Sequence, residues 1–289
     1  MTDGVGRVDG VDVVEVTDAL EVADGVRSAA PIVARRAGLI ADVRTVGLRA
    51  LRGLLRDPEA VVPPLIVGAF FYLINIGTLQ VISEASAGVV DYKAFQLPTA
   101  LIFGTTGLSR AASLVTDIQS GYFDRLLLTP VRRPALLLGL LVADFTLGIA
   151  VTVPIIVFAM AIGVSFATGV LGVLALVLMV AFWSMGFAGI SYAVALKTGS
   201  AAAVNSTFLI FFPFAFLTTS SLPKEALTGW LAAIVSWNPV TYVLAGQRAL
   251  VSGEWGSIDL LWGVLAIGGV SVVSLSMAGA ALRGRVKRG

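Results

Sequence analysis

The sequence predicts an all-α polytopic membrane protein. Three observations carry the prediction: a mean hydropathy of +0.93, apolar runs of about 20 residues, the length a helix needs to cross a bilayer core, and a lopsided distribution of basic residues among the loops. Of the 289 residues 57% are hydrophobic and only 13% charged, so the solvent of this chain is largely lipid. The chain has no cysteine and no histidine. That removes thiol nucleophiles, histidine triads, disulfides and ordinary zinc sites, and with them most routes to a catalytic role. A net charge of +2 is too small to suggest a nucleic-acid partner.

Residues 1–36 open with seven acids in the first 30 residues (Asp3, Asp9, Asp12, Glu15, Asp18, Glu21, Asp24) against Arg7 and Arg27. They lack the basic start and apolar core of a secretory signal and read as a loosely ordered cytosolic tail. Residues 37–58 contain "LIADVRTVGLRALRGLLRDP", which predicts an amphipathic interface helix. At 100° per residue Leu39, Ile40, Val43, Val46, Leu48, Leu51, Leu54 and Leu55 share a broad face, with Arg49, Arg52 and Arg56 opposite and Arg44 as the exception. Pro58 disfavours helix at Asp57 and stops it.

Residues 59–289 hold six segments that qualify as transmembrane helices: 61–82, 95–116, 135–162, 169–196, 201–220 and 260–282. With these spans, seventeen of the twenty Lys and Arg fall on one side, and only Lys93, Lys224 and Arg248 opposite. The positive-inside rule then puts both termini in the cytosol. The apolar stretch 226–250 is split by Asn238-Pro239 into halves too short to cross a core of about 30 Å. It reads as two re-entrant helices before the sixth span, with Trp230 and Trp237 at the interface; a surface helix pair is the alternative.

Asp144 lies about 15 Å past the cytosolic start of the third span, near the bilayer midplane. An unpaired carboxylate there costs several kcal/mol. Arg110, near the cytosolic end of the adjacent antiparallel span, is the expected structural partner; the rival is a proton or ion relay, which would suit a secondary transporter.

Between the second and third spans "SGYFDRLLLTPVRRPALLLG" forms a charged island. A short cytosolic helix over 120–128 would end near Thr129, because Pro130 disfavours helix before it. Arg132 and Arg133 read as topological anchors. The stretch "DIQSGYFDRLLLTPVRRPALLLGLLVAD" resembles the corresponding turn of ABC-2-type transporter permeases, the daunorubicin/doxorubicin-resistance type in particular. The matching positions are Asp117, Gly121, Asp124-Arg125-Leu126, Pro130, Arg133, Leu138-Gly139 and Asp144. A second block, "FPFAFLTTSSLPKEALTGWLAAIVSWNPVTYVLAGQRAL", is similar to the family's closing region at Pro213-Phe214, Gly229-Trp230-Leu231, Asn238-Pro239, Thr241 and Arg248. The Arg56-Asp57-Pro58 run ahead of the first span fits too. Gln119 stands where many ABC-2 relatives carry Glu, which shifts the match toward the drug-resistance branch.

The resemblance implies a permease subunit of an ATP-driven exporter in the plasma (inner) membrane. It would be paired with a second copy or a similar permease and driven by separate ABC ATPase subunits that bind ATP and Mg. This chain has no G-x-x-x-x-G-K-[ST] loop and needs no cofactor of its own. The ATPase contact would fall on Gly121, Tyr122, Phe123, Asp124, Arg125, Leu126 and Leu127, with the aromatic pair and the leucines in a groove of the ATPase. The substrate path, for a drug, lipid or lipid-linked glycan, would be lined by Thr105, Thr106 and Ser109 on the second span and by Asn205, Phe208, Phe212 and Phe216 on the fifth. The alternatives are an ion-coupled secondary transporter using Asp144 and a non-catalytic membrane scaffold.

Overall fold

Long apolar runs with few charges dictate helices whose outer sides can face lipid, and all regular structure among the described residues is helical. A computed structural model describes residues 58–86, 89–127 and 133–286, with positions 38, 44, 45, 47, 48 and 52 before them. The acidic tail, most of the interface helix, Pro130 and the side chains of Arg132 and Arg133 lie outside the described residues. The described residues belong to one compact unit, Ala37–Gly289.

A 3-10 turn at Pro58–Ala60 leads into α1 (Val62–Ser86), followed by α2 (Tyr92–Thr105), α3 (Ala111–Gln119) and α4 (Tyr122–Leu127). Next come α5 (Arg133–Ala161), α6 (Gly169–Thr198), α7 (Ala201–Asn205), α8 (Thr207–Phe216), α9 (Gly229–Val235), α10 (Pro239–Ser252) and α11 (Ile258–Val286). Four of these helices, α1, α5, α6 and α11, are long and apolar enough to cross a membrane.

α6 is the central helix, packing against α5 and α11, while α1 packs on α2 and α10 on α11. Its crossing with α11 is close because small residues meet there. A Cβ on Gly189 would lie 2.7 Å from the carbonyl carbon of Ser274, and the Ser274 hydroxyl donates to Gly186 O. In lipid, where apolar side chains gain nothing from leaving water, such backbone approach is a main source of helix association.

The second predicted span is not one helix. α2 ends at Thr105 and α3 starts at Ala111, with residues 106–110 between them non-helical. Gly107 adopts φ 89°, and a Cβ there would sit 2.8 Å from Phe208 Cδ2. The left-handed backbone and the close ring of α8 together end α2 at this point. The fifth predicted span also differs: helix stops at Phe216, and Thr218, Thr219 and Ser220 form a buried bend. Stretch 226–250 forms two helices that meet at Asn238, with Trp230 and Trp237 exposed.

The buried apolar residues fall into two clusters. One collects Leu97, Leu101, Ile155, Leu176, Trp183 and Phe211 with their neighbours. The other collects Leu114, Ile118, Phe123, Leu140, Tyr192 and Leu196. Their boundary runs between Leu108 and Ala111, between Ala143 and Leu147 on α5, and between Phe187 and Ala188 on α6. The core therefore changes at the level where the second span is broken.

Candidate functional site

An interrupted helix inside an apolar bundle must satisfy its freed backbone groups within the protein. At the start of α3 Asp144 Oδ1 accepts the Arg110 backbone N–H at 2.8 Å, and Ser109 Oγ accepts the Ala111 N–H at 3.0 Å. The other carboxylate oxygen of Asp144, Oδ2, accepts the Tyr192 hydroxyl at 2.5 Å. Asp144 is fully buried, so a carboxylate from α5 stands at the N-terminal end of α3, where the helix dipole favours negative charge. One side chain thus joins α3, α5 and α6.

Sequence reasoning pairs Asp144 with Arg110, and the structure brings the two residues together, with the Arg110 main-chain N–H donating to the carboxylate. The sequence treats the second span as continuous, and a continuous helix would keep that N–H for itself. Tyr192 is the partner that sequence reasoning missed. Its signal was a lone tyrosine in an apolar span, since a buried hydroxyl needs a polar partner.

On the α2 side of the break Thr105 and Thr106 are buried and turned toward neighbours. The Thr105 hydroxyl donates to Leu101 O at 2.7 Å, and Thr106 Oγ1 accepts the Trp183 indole N–H at 2.8 Å. Ser109 is half-buried and engaged with the start of α3. Asn205 is exposed, Phe208 and Phe212 are half-buried, and Phe216 is exposed. The three phenylalanines form a ladder, with ring centroids 5.2 Å apart for Phe208–Phe212 and 5.4 Å for Phe212–Phe216. Phe103 of α2 joins it at 5.4 Å from Phe216, so α2 and α8 share an aromatic seam.

Beyond α3 the chain turns at Gly121, with φ 70°, into α4. Gln119 Nε2 donates to Gly199 O at 2.9 Å, fixing this turn to the end of α6. Phe123 is buried in the cluster that contains Ile118 and Leu140, whereas Tyr122 is 39% exposed and Arg125 is exposed. This corrects the expectation of an aromatic pair on one outer face. Residues i and i+1 of a helix do not share a face, but i and i+3 do, so Tyr122 and Arg125 point out while Phe123 points in. Leu126 is half-buried against the same cluster; the side chains of Asp124 and Leu127 lie outside the described ones.

A family model described as ABC-2 type transporter matches residues 41–251. The chain belongs to the ABC-2 type transporter family. It is therefore an integral membrane protein and a transmembrane ABC-transporter subunit, the component of a family that normally works with an ABC ATPase. Among the curated relatives of this ABC-2 chain is "Daunorubicin resistance ABC transporter permease protein DrrB1" of Streptomyces coeruleorubidus. It is 26% identical over 173 residues, covering 59% of this chain and 61% of that relative's length. A second, named a probable doxorubicin resistance ABC transporter permease protein DrrC, of Mycobacterium tuberculosis, is 24% identical over 208 residues, 71% of this chain and 75% of its own.

At the other end of the ABC-2 bundle a second polar knot holds the bend after α8. Arg248 of α10 donates from Nε to Phe95 O at 3.0 Å, and from its two terminal nitrogens to Thr219 Oγ1 at 3.0 Å and Thr219 O at 2.7 Å. Its guanidinium lies 3.6 Å from the centroid of the Phe95 ring. Thr99 Oγ1 donates to Ser220 O, Tyr92 OH to Ser221 O, and Asn238 Nδ2 to both Phe214 O and Leu217 O. Four carbonyls of the bend and one from the last turn of α8 are thus met by side chains of α2, α10 and Asn238. Sequence reasoning counts Arg248 as a charge on the minority side and as a match to the family's closing region, not as the holder of this bend; its signal was a lone Arg in an otherwise apolar helix.

Proposed function

We propose that this chain is the membrane half of an ATP-driven exporter that moves a hydrophobic or amphipathic molecule, a drug, lipid or lipid-linked glycan, out of the cytosol or inner leaflet. Separate ABC ATPase subunits, which bind ATP and Mg, drive it, and two permease copies or two similar permeases form the path. The names of the two drug-resistance relatives support export of a drug. The chain sits in the plasma (inner) membrane with both termini in the cytosol, where the basic residues collect.

In this reading six spans are made by the four long helices, by α2 and α3 joined through their break, and by α7–α8. From Ala201 to Phe216 the last of these rises only about 24 Å, and the buried bend at 217–221 completes the crossing. α9 and α10 are re-entrant from the outer face. The exposed apolar side chains of α8, Leu209 and Phe214, with Ile66 and Phe70 of α1, face lipid or the second permease. Asn205, Phe208, Phe212 and Phe216 line the substrate path, and the buried threonines of α2 support it from behind.

One observation carries the coupling: α4 presents Tyr122 and Arg125 outward while Phe123 roots it in the bundle. Closure of the ATPase pair pushes on that outer face, and α3 transmits the displacement to the break at 106–110, where Asp144 holds its end. The second span therefore acts as two levers meeting at a pivot. Asp144 is structural in this reading. Both of its oxygens accept bonds from donors on neighbouring elements, an arrangement that holds the break together.

Co-purification with the ATPase subunit tests the reading. Tyr122→Ala combined with Arg125→Glu is expected to weaken ATPase retention about tenfold, as loss of a contact hot spot does, with thermal stability unchanged. Phe123→Ala is expected to lower stability by about 3 kcal/mol, the cost of emptying a core aromatic site. Full retention of the ATPase by the double variant would remove α4 from the interface.

A further inference from the structure

On the face of the bundle away from α4, a cavity of about 670 Å³ opens where the start of α2, the α5–α6 turn, the Lys224–Ala226 turn and the end of α10 converge. That volume lies within the range of small-molecule sites, roughly 300 to 1,000 Å³. Its wall is mostly apolar, with Val89, Ala94, Phe95 and Val251 among the lining residues. Three charged residues complete it: Asp91, Glu225 and Arg248.

The two signs are held apart. Arg248 is fixed by its bonds to Phe95 O and to Thr219, which use three of its N–H groups. A guanidinium has about five such groups, so two remain among the described contacts. Asp91 lends Oδ1 to the Ala94 N–H as the cap of α2 and keeps its second oxygen for another donor. Glu225 stands exposed at the rim. A simple cation would meet the fixed guanidinium, and a simple anion would meet two carboxylates. A ligand carrying both charges over an apolar body meets neither obstacle.

We propose that this cavity holds the headgroup of a zwitterionic phospholipid of the outer leaflet, with its phosphate on Arg248 and its primary ammonium between Asp91 and Glu225. The glycerol and upper acyl carbons lie against Phe95, Val89 and Val251. The site is distinct from the substrate path along α8 and rests on the proposed reading only for its membrane orientation.

The test uses the purified full chain, stripped of lipid in detergent and offered an equimolar mixture of phosphatidylethanolamine and phosphatidylglycerol, with bound lipid read by native mass spectrometry. Wild type is expected to retain one phosphatidylethanolamine with about fivefold preference, the ratio set by a partly exposed ion pair of about 1 kcal/mol. In Asp91→Asn/Glu225→Gln the preference is expected to reverse toward phosphatidylglycerol, because Arg248 remains; Asn still caps α2. Preference of wild type for phosphatidylglycerol, no retained lipid, or an unchanged preference in the double variant would each overturn the proposal. ATPase retention by the same variant should equal wild type, which separates failure here from failure of the exporter reading.

Discussion

Asp144→Ala is expected to be among the most damaging single substitutions in the chain, lowering stability by about 2 to 6 kcal/mol, because it leaves two buried donors unmatched at about 1 to 3 kcal/mol each. Those donors are the Arg110 backbone N–H and the Tyr192 hydroxyl. Thermal unfolding in detergent, followed by the fraction that stays monodisperse, reads the loss. Asp144→Asn keeps an acceptor for Arg110 and a group for Tyr192, so it should lose less. Tyr192→Phe removes one bond to a charged group, about 1.5 to 3 kcal/mol. Combined with Asp144→Ala, it should cost less than the sum of the two, since the alanine variant already lacks the bond.

Arg248→Ala should cost about 3 kcal/mol, since Phe95 O, Thr219 O and Thr219 Oγ1 lose their donor together in a partly buried setting. Against a total stability of about 5 to 15 kcal/mol this is a large share. Arg248→Lys keeps the charge but presents no planar fork, so it should recover only part of the loss. Limited proteolysis provides a local readout: the bend at 217–221 is expected to be cut faster in the alanine variant than in wild type. Equal cutting, with equal melting temperature, would show that Arg248 does not hold the bend.

Hydropathy made α1, α5, α6 and α11 legible, since an unbroken apolar run of sufficient length has few alternatives to a long helix. The break in the second span was not legible for the same reason. Thr105, Thr106 and Gly107 are small and weakly polar, and a window average passes over them. What ends α2 is the left-handed backbone of Gly107 beside Phe208, a contact between residues about a hundred positions apart. Asp144 stood out in sequence because an intramembrane carboxylate is costly, yet its partners are a backbone amide exposed by that break and a tyrosine on another helix. That the two aromatics of α4 cannot share a face could have been drawn from helical spacing alone. Tyr122 and Phe123 are adjacent, so only one can face out, and the buried cluster decides that it is Tyr122.

The most direct test of the exporter reading is uptake of a fluorescent amphipathic drug into inverted membrane vesicles that contain this chain and its ATPase subunit. Accumulation is expected only with ATP, Mg and both subunits, and it should fall about tenfold in the Tyr122→Ala/Arg125→Glu variant at unchanged protein level. Accumulation by the chain alone, driven by an ion gradient without ATP and abolished by Asp144→Asn, would contradict the account.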